Sequence, residues 1–129
     1  MIGASGVDAA GVRVWLATSA VDGRKGFDTL CGIVRQSLSH DPLCGDLFVF
    51  RNRSTARIKI LFWDGNGLVL YAKRLEKGTF RWPAAGESVI AISSAQLIEL
   101  LAGRETGFAS AKQIPTEAGS REAGSPSRR

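Results

Sequence analysis

The sequence predicts a single α+β domain: a mainly antiparallel sheet of about five strands with two helices and a disordered C-terminal tail. Three observations carry that expectation. Residues 57–75 read as two strands joined by Asp64-Gly65-Asn66-Gly67, whose glycines and Asn supply the positive φ angles of a tight hairpin. Phe27, Leu30, Ile33 or Val34 and Leu38 recur at spacings of three and four, which is one apolar helical face. From Arg104 onward large apolar residues almost vanish, so residues 104–129 are expected to stay disordered. A chain of 129 residues suffices for one core, expected over 12–103 behind a flexible segment 1–11.

In chain order, residues 12–18 read as a first strand after Gly11. A helix over 27–39 follows, with Gly26 easing its entry, Phe27 entering the core and Asp28 complementing the helix dipole. Pro42 is expected to stop it. Gly45-Asp46 turns the chain into Leu47–Phe50, an apolar run short enough for a buried strand. In 57–63, Ile58, Ile60 and Phe62 share one side, and Arg57, Lys59, Leu61 and Trp63 the other. Pairing Trp63 with Leu68 sets Lys59 opposite Ala72 and Arg57 opposite Arg74, while a slip of two residues would keep the faces and change the partners. Glu76-Lys77-Gly78 signals a turn into a further strand over Thr79–Trp82, ended by Pro83. Val89–Ile92 reads as an edge strand. Ser93 or Ser94 then caps a helix over 94–102, with Gly103 at its C-terminus.

Charge is concentrated in the middle of the chain. Its 17 basic and 12 acidic side chains give +5 overall, yet the stretch from Arg51 to Arg81 alone carries +6. Arg51, Arg53, Arg57, Lys59, Lys73, Arg74, Lys77 and Arg81 stand there against Asp64 and Glu76. Phe62, Trp63 and Tyr71 are interleaved with them, and cations that neutralise phosphates beside flat rings suit a nucleic acid. The plainer reading is a solvated cationic sheet face with Trp63 and Trp82 in the core. Like charges at the open end of the hairpin repel, which an anion bound there would relieve. Arg24 and Lys25, beside a helix N-terminus, offer a second phosphate position, although the segment is explained more simply as a helix entry. These ten cations are the candidate nucleic-acid-binding residues. A pI near 9.8 favours anionic partners, whether DNA, RNA or an acidic protein surface.

Other chemistries find little support. The lone His40 follows a helix beside Asp41 and Pro42, where a surface or capping role is expected rather than that of a catalytic base. Asp22, Asp28, Asp46 and Asp64 are explained by turns and a helix start, which leaves no converging carboxylates for metal-dependent strand transfer. Cys31 and Cys44 have no zinc-ligand spacing with His40, and both are expected to be reduced thiols in a cytoplasmic protein, Cys31 packing as a small apolar residue. No cofactor, metal or small-molecule substrate is expected. Met1–Gly11 lacks the pattern of a secretory leader and no run approaches 18 apolar residues, so neither secretion nor membrane spanning is expected.

Four ordered motifs add a resemblance. Asp22–Leu30 (DGRKGFDTL), Leu47–Arg53 (LFVFRNR), Arg57–Gly67 (RIKILFWDGNG) and Lys73–Pro83 (KRLEKGTFRWP) resemble the accessory protein of IS-sixty-six-type bacterial insertion sequences, often labelled TnpB. The resemblance spans roughly residues 12–103. That family usually has Met where Gly23 stands and often an acid where Ala56 stands, departures that bear on loop conformation and local charge. The resemblance implies a small non-enzymatic protein, encoded beside a separate transposase and needed for efficient transposition. It is unrelated to the RNA-guided nuclease of the same label, whose carboxylate centre this chain lacks. The expected role is an accessory factor that binds DNA, at the element's ends, through the basic hairpin, directly or while docked on the transposase. The alternative is a protein-interaction module whose sheet stabilises the transposase without touching DNA.

Overall fold

The computed structural model describes residues 11–84 and 86–103; the expectations for the N-terminal ten residues and for 104–129 lie outside them. The elements run β1 (Val14–Ala17), α1 (Phe27–Gln36), β2 (Leu47–Arg51), β3 (Arg57–Trp63), β4 (Leu68–Arg74), β5 (Val89–Ile92) and α2 (Ser94–Leu101). The five strands form one sheet in the order β4-β3-β2-β1-β5. Among the described strands only β1 and β2 pair in parallel. Parallel neighbours cannot be joined by a tight turn, and α1 lies in the long connection between these two.

Both faces of the sheet are apolar. On one, Val14, Leu16, Val49, Ile58, Ile60 and Ile92 pack with Leu97 and Leu100 of α2 and with Phe80 and Trp82. On the other, Ala17, Phe48, Phe50 and Leu61 pack with Leu30, Cys31 and Val34 of α1 and with Leu38. This explains why Leu61 is fully buried although it shares a side of β3 with Arg57 and Lys59. That side is divided along its length, apolar where α1 lies over it and basic at the open end of the hairpin.

Of the two registers that keep the faces, the hairpin adopts the one with Trp63 opposite Leu68, Lys59 opposite Ala72 and Arg57 opposite Arg74. Ser93 caps α2 through a capping box, its hydroxyl accepting from the Gln96 amide while the Gln96 side chain accepts from the Ser93 amide. Gly103 follows the last turn at φ +78°, the left-handed conformation that terminates helices.

Three expectations change. Residues Thr79–Trp82 do not form a strand. They plug the core on the α2 side: Phe80 and Trp82 are buried, the Phe80 amide donates to the Thr55 carbonyl at 2.8 Å, and the Trp82 indole donates to the Ala17 carbonyl at 2.9 Å. Helix α1 ends at Gln36 rather than near 39, because Ser39 turns to φ +58° and the His40 amide bonds the Val34 carbonyl at 2.9 Å. Pro42 is therefore not what stops it. Phe27, at the first position of α1, is 45% exposed instead of buried, and Cys31 one turn further on packs in the core.

Candidate nucleic-acid interface

The loop before α1 is held by one carboxylate. Asp22 Oδ1 accepts the Arg24 amide at 2.9 Å, and the Asp22 carbonyl accepts the Lys25 amide at 3.0 Å. The Arg24 guanidinium returns to the same carboxylate at 3.2 and 3.0 Å and, with that backbone bond, holds Asp22 well below the usual carboxylate range. An Asp bonding the amide two residues on is a side-chain-closed turn, and Gly23 sits within it. A Cβ at Gly23 would lie 3.5 Å from Asn52 Cβ and 3.8 Å from Arg57 Cδ, so this loop is in contact with the start of β3.

Asn52 builds the facing wall. Its Oδ1 accepts the amides of Ala56 at 3.1 Å and Arg57 at 3.0 Å, closing the turn between β2 and β3 in which Thr55 adopts φ +59°. Lys59 then ties the two walls together, its ammonium donating to the Lys25 carbonyl at 2.7 Å. The result is a pair of adjoining grooves of about 350 Å³ each that share Gly23. One is walled by Asp22, Asn52 and Arg53, the other by Arg57, Lys59, Arg74 and Glu76. The helix that starts beside them, α1, has no side-chain cap on its N-terminal amides.

The ten candidate cations divide by position. Arg53, Arg57, Lys59 and Arg74 wall the grooves, and Lys25 adjoins them through its carbonyl, which holds Lys59. Arg57 and Arg74 face each other across the hairpin; Glu76 takes Arg74 at 3.3 Å, while Arg57 has no ion pair among the described residues. Arg24 is exposed but paired with Asp22. Lys73 borders the second groove, but it pairs with Ile58 and sends its ammonium to the opposite face, donating to the Leu101 carbonyl at the end of α2 at 2.6 Å. Arg51 turns inward, donating to the Thr18 carbonyl at 3.3 and 3.0 Å and to Thr55 Oγ1 at 3.1 Å, and burial pushes its pKa down. Lys77 and Arg81 are exposed on the segment that leads from β4 to Pro83.

Sequence reasoning separated the loop at 22–26 from the hairpin end, and the fold joins them. Asn52, which shapes the meeting point, was missed, and Gly23 was noted only as a departure from the family pattern. An Asn flanked by Arg in a short connection between strands was the available signal. His40, half-buried, packs tilted against Trp15 with ring centroids 4.3 Å apart and approaches Phe48 at 5.9 Å. Its Nδ1 lies 2.7 Å from the Leu38 carbonyl, so it closes the end of α1 rather than lining a site. No metal-binding cluster occurs among the described residues, and no helix there is long and apolar enough to cross a membrane.

The family model for IS66 Orf2 like proteins matches residues 12–110. The chain belongs to this family. This Orf2-like chain is 45% identical over 108 residues to a Sinorhizobium fredii protein named Uncharacterized protein y4hO, covering 84% of this chain and 94% of that one. It is 39% identical over 93 residues to Uncharacterized protein y4jC of the same organism, covering 72% and 80%. No solved structure matches it. The four motifs that carried the resemblance all lie inside the matched span. Membership makes this an insertion-sequence protein, in a family that is not a known enzyme class.

Proposed function

We propose that this insertion-sequence protein is a non-catalytic accessory factor of transposition in the bacterial cytoplasm, and that it binds DNA at the element's ends on the twin grooves around Gly23. The observation that carries the reading is the meeting of two basic segments far apart in sequence. Lys25 comes from the loop before α1, Arg53 from the turn after β2, and Arg57, Lys59 and Arg74 from the open end of the hairpin. Phosphates along a backbone present charge at regular intervals, and a cluster of cations around a shallow groove answers that spacing better than it answers one small anion. The amides at the start of α1 add donors to the same region. DNA is held there directly or together with the transposase of the same element, whose binding would extend the surface.

Titration of the purified chain against duplexes with and without an element end, at several salt concentrations, tests this reading. Binding should fall within about 1–100 µM for unrelated duplex near physiological salt and weaken steeply as salt rises. Absence of salt-sensitive binding in that range would discard DNA as the direct partner and leave a module that stabilises the transposase by protein contacts alone.

A further inference from the structure

The outer edge of β4 carries no strand among the described residues, and the hydrogen-bond phase of the hairpin tells which of its groups are open. The Asp64 amide bonds the Gly67 carbonyl at 3.0 Å, and the Leu75 amide bonds the Ala56 carbonyl at 2.9 Å. Bonded and non-bonded pairs alternate along an antiparallel ladder, so Val69, Tyr71 and Lys73 bond to β3 while Leu68, Leu70, Ala72 and Arg74 direct N–H and C=O outward. The Asn52 amide on the Arg57 carbonyl, at 3.1 Å, fixes the same phase from the other side of β3. The exposed row spans seven residues, is apolar from Leu68 to Ala72, and has no Pro or bulge to blunt it. The opposite edge, β5, has only four residues.

We infer that β4 pairs antiparallel with β4 of a second copy of this chain, about a two-fold axis through Tyr71, so that two sheets join into one. In that register Leu68 faces Arg74 of the second copy and Leu70 faces Ala72, so every outward group of both strands has a partner. A shift of two residues would leave the outward groups at one end of each strand against a turn. Tyr71, 42% exposed, meets its own symmetry mate in a non-bonded pair, the closer kind, where rings interact well. Charge selects the same arrangement. Each edge is basic at one end, where Lys73, Arg74 and Lys77 outnumber Glu76, and acidic at the other, through Asp64. Antiparallel pairing sets the basic end of one copy against the acidic end of the other and keeps the two Arg74 residues about 20 Å apart along the strands. The axis is perpendicular to the sheet, so the Gly23 grooves of both copies open on the same face. The dimer does not depend on what those grooves bind.

Light scattering or sedimentation of the full chain, over about 1–100 µM, should show the mass rising from 13.8 kDa toward twice that value. Ala72→Pro removes an outward amide and none that bonds β3, and should raise the dissociation constant at least about tenfold while the folded monomer persists. Tyr71→Lys, which sets two ammonium groups on the axis, should do the same by a different route. In a Cys44→Ser background, Tyr71→Cys should form a disulfide-linked dimer on mild oxidation and Val69→Cys, off the axis, should not. A monomer at every concentration would overturn the inference, whether residues beyond Gly103 or a strand of the transposase cover the edge instead. So would a dimer indifferent to both β4 substitutions, or equal cross-linking at positions 69 and 71.

Discussion

Arg51 and Arg53 stand two positions apart in the same basic run and do opposite things. Arg51 closes on the buried Thr18 carbonyl, whereas Arg53 walls a groove. Arg51→Ala strands that carbonyl and should cost about 2 kcal/mol in urea denaturation, against less than about 0.5 kcal/mol for Arg53→Ala. Equal costs would contradict these assignments. Asp22 offers a second test at this scale, through pH. Its pKa is depressed in the folded chain, so its contribution is complete above the ordinary carboxylate pKa of about 3.9 and is lost as pH falls below it, where the unfolded chain takes up the proton first. The difference in unfolding midpoint between the wild type and Asp22→Asn should therefore be flat from about pH 7 to 5 and shrink below about pH 4. It should also shrink with added salt, since the pair is exposed. A difference that grows on acidification would contradict the loop geometry. Residue types alone could not separate these roles. Besides Thr55 Oγ1 for Arg51, the acceptors of Arg51, Lys59 and Lys73 are carbonyls of Thr18, Lys25 and Leu101, each at least 28 positions away, and a carbonyl leaves no mark in a sequence.

At the scale of elements, the hairpin was legible because its turn and its alternation agree on where the strands lie and which faces they share, although a slip of two residues was left to the fold. A serine cap at 93 or 94 was legible, and the reciprocal bonds with Gln96 decide for Ser93. The stretch Thr79–Trp82 was not. Alternating large apolar residues before a Pro describe a strand and a core plug equally well, and the choice depends on which neighbouring backbone is free. Helix α1 ran short for a comparable reason, since Leu38 continues the apolar spacing after the backbone has already turned at Ser39. Lys73 shows how the pleat of an element decides function. One position along from Ala72, it faces α2 and donates to the last turn of that helix, where a cation also meets the favourable end of the dipole. Lys73→Ala should lower stability by about 1 kcal/mol and leave the salt dependence of DNA binding unchanged. A flattened salt dependence without loss of stability would return Lys73 to the binding surface.

For the molecule as a whole, the sequence located the charge but not the architecture that gathers it. A sheet buried on both faces can hold cations only at its ends and edges, because α1, α2 and the Phe80–Trp82 plug take the middle. The basic residues of β3 and β4 therefore emerge at the open end of the hairpin, a position the register alone predicts. That the loop at 22–26 meets them there follows from the parallel β1–β2 pair, which carries the start of α1 to the same end of the sheet. No local pattern announces such a crossover, although the family resemblance included both segments.

The most direct test of this account is the salt dependence of duplex binding in an Arg53→Ala, Arg57→Ala double variant. Both side chains wall the grooves, and neither is committed to an ion pair or a structural carbonyl among the described residues. Each phosphate they neutralise contributes about 0.9 to the log-log slope, so the slope should flatten by nearly two units. Thermal stability should be unchanged or slightly higher, because Arg74 loses a like-charged neighbour. A folded double variant that binds duplex with the wild-type slope would contradict the account and move DNA away from the Gly23 grooves.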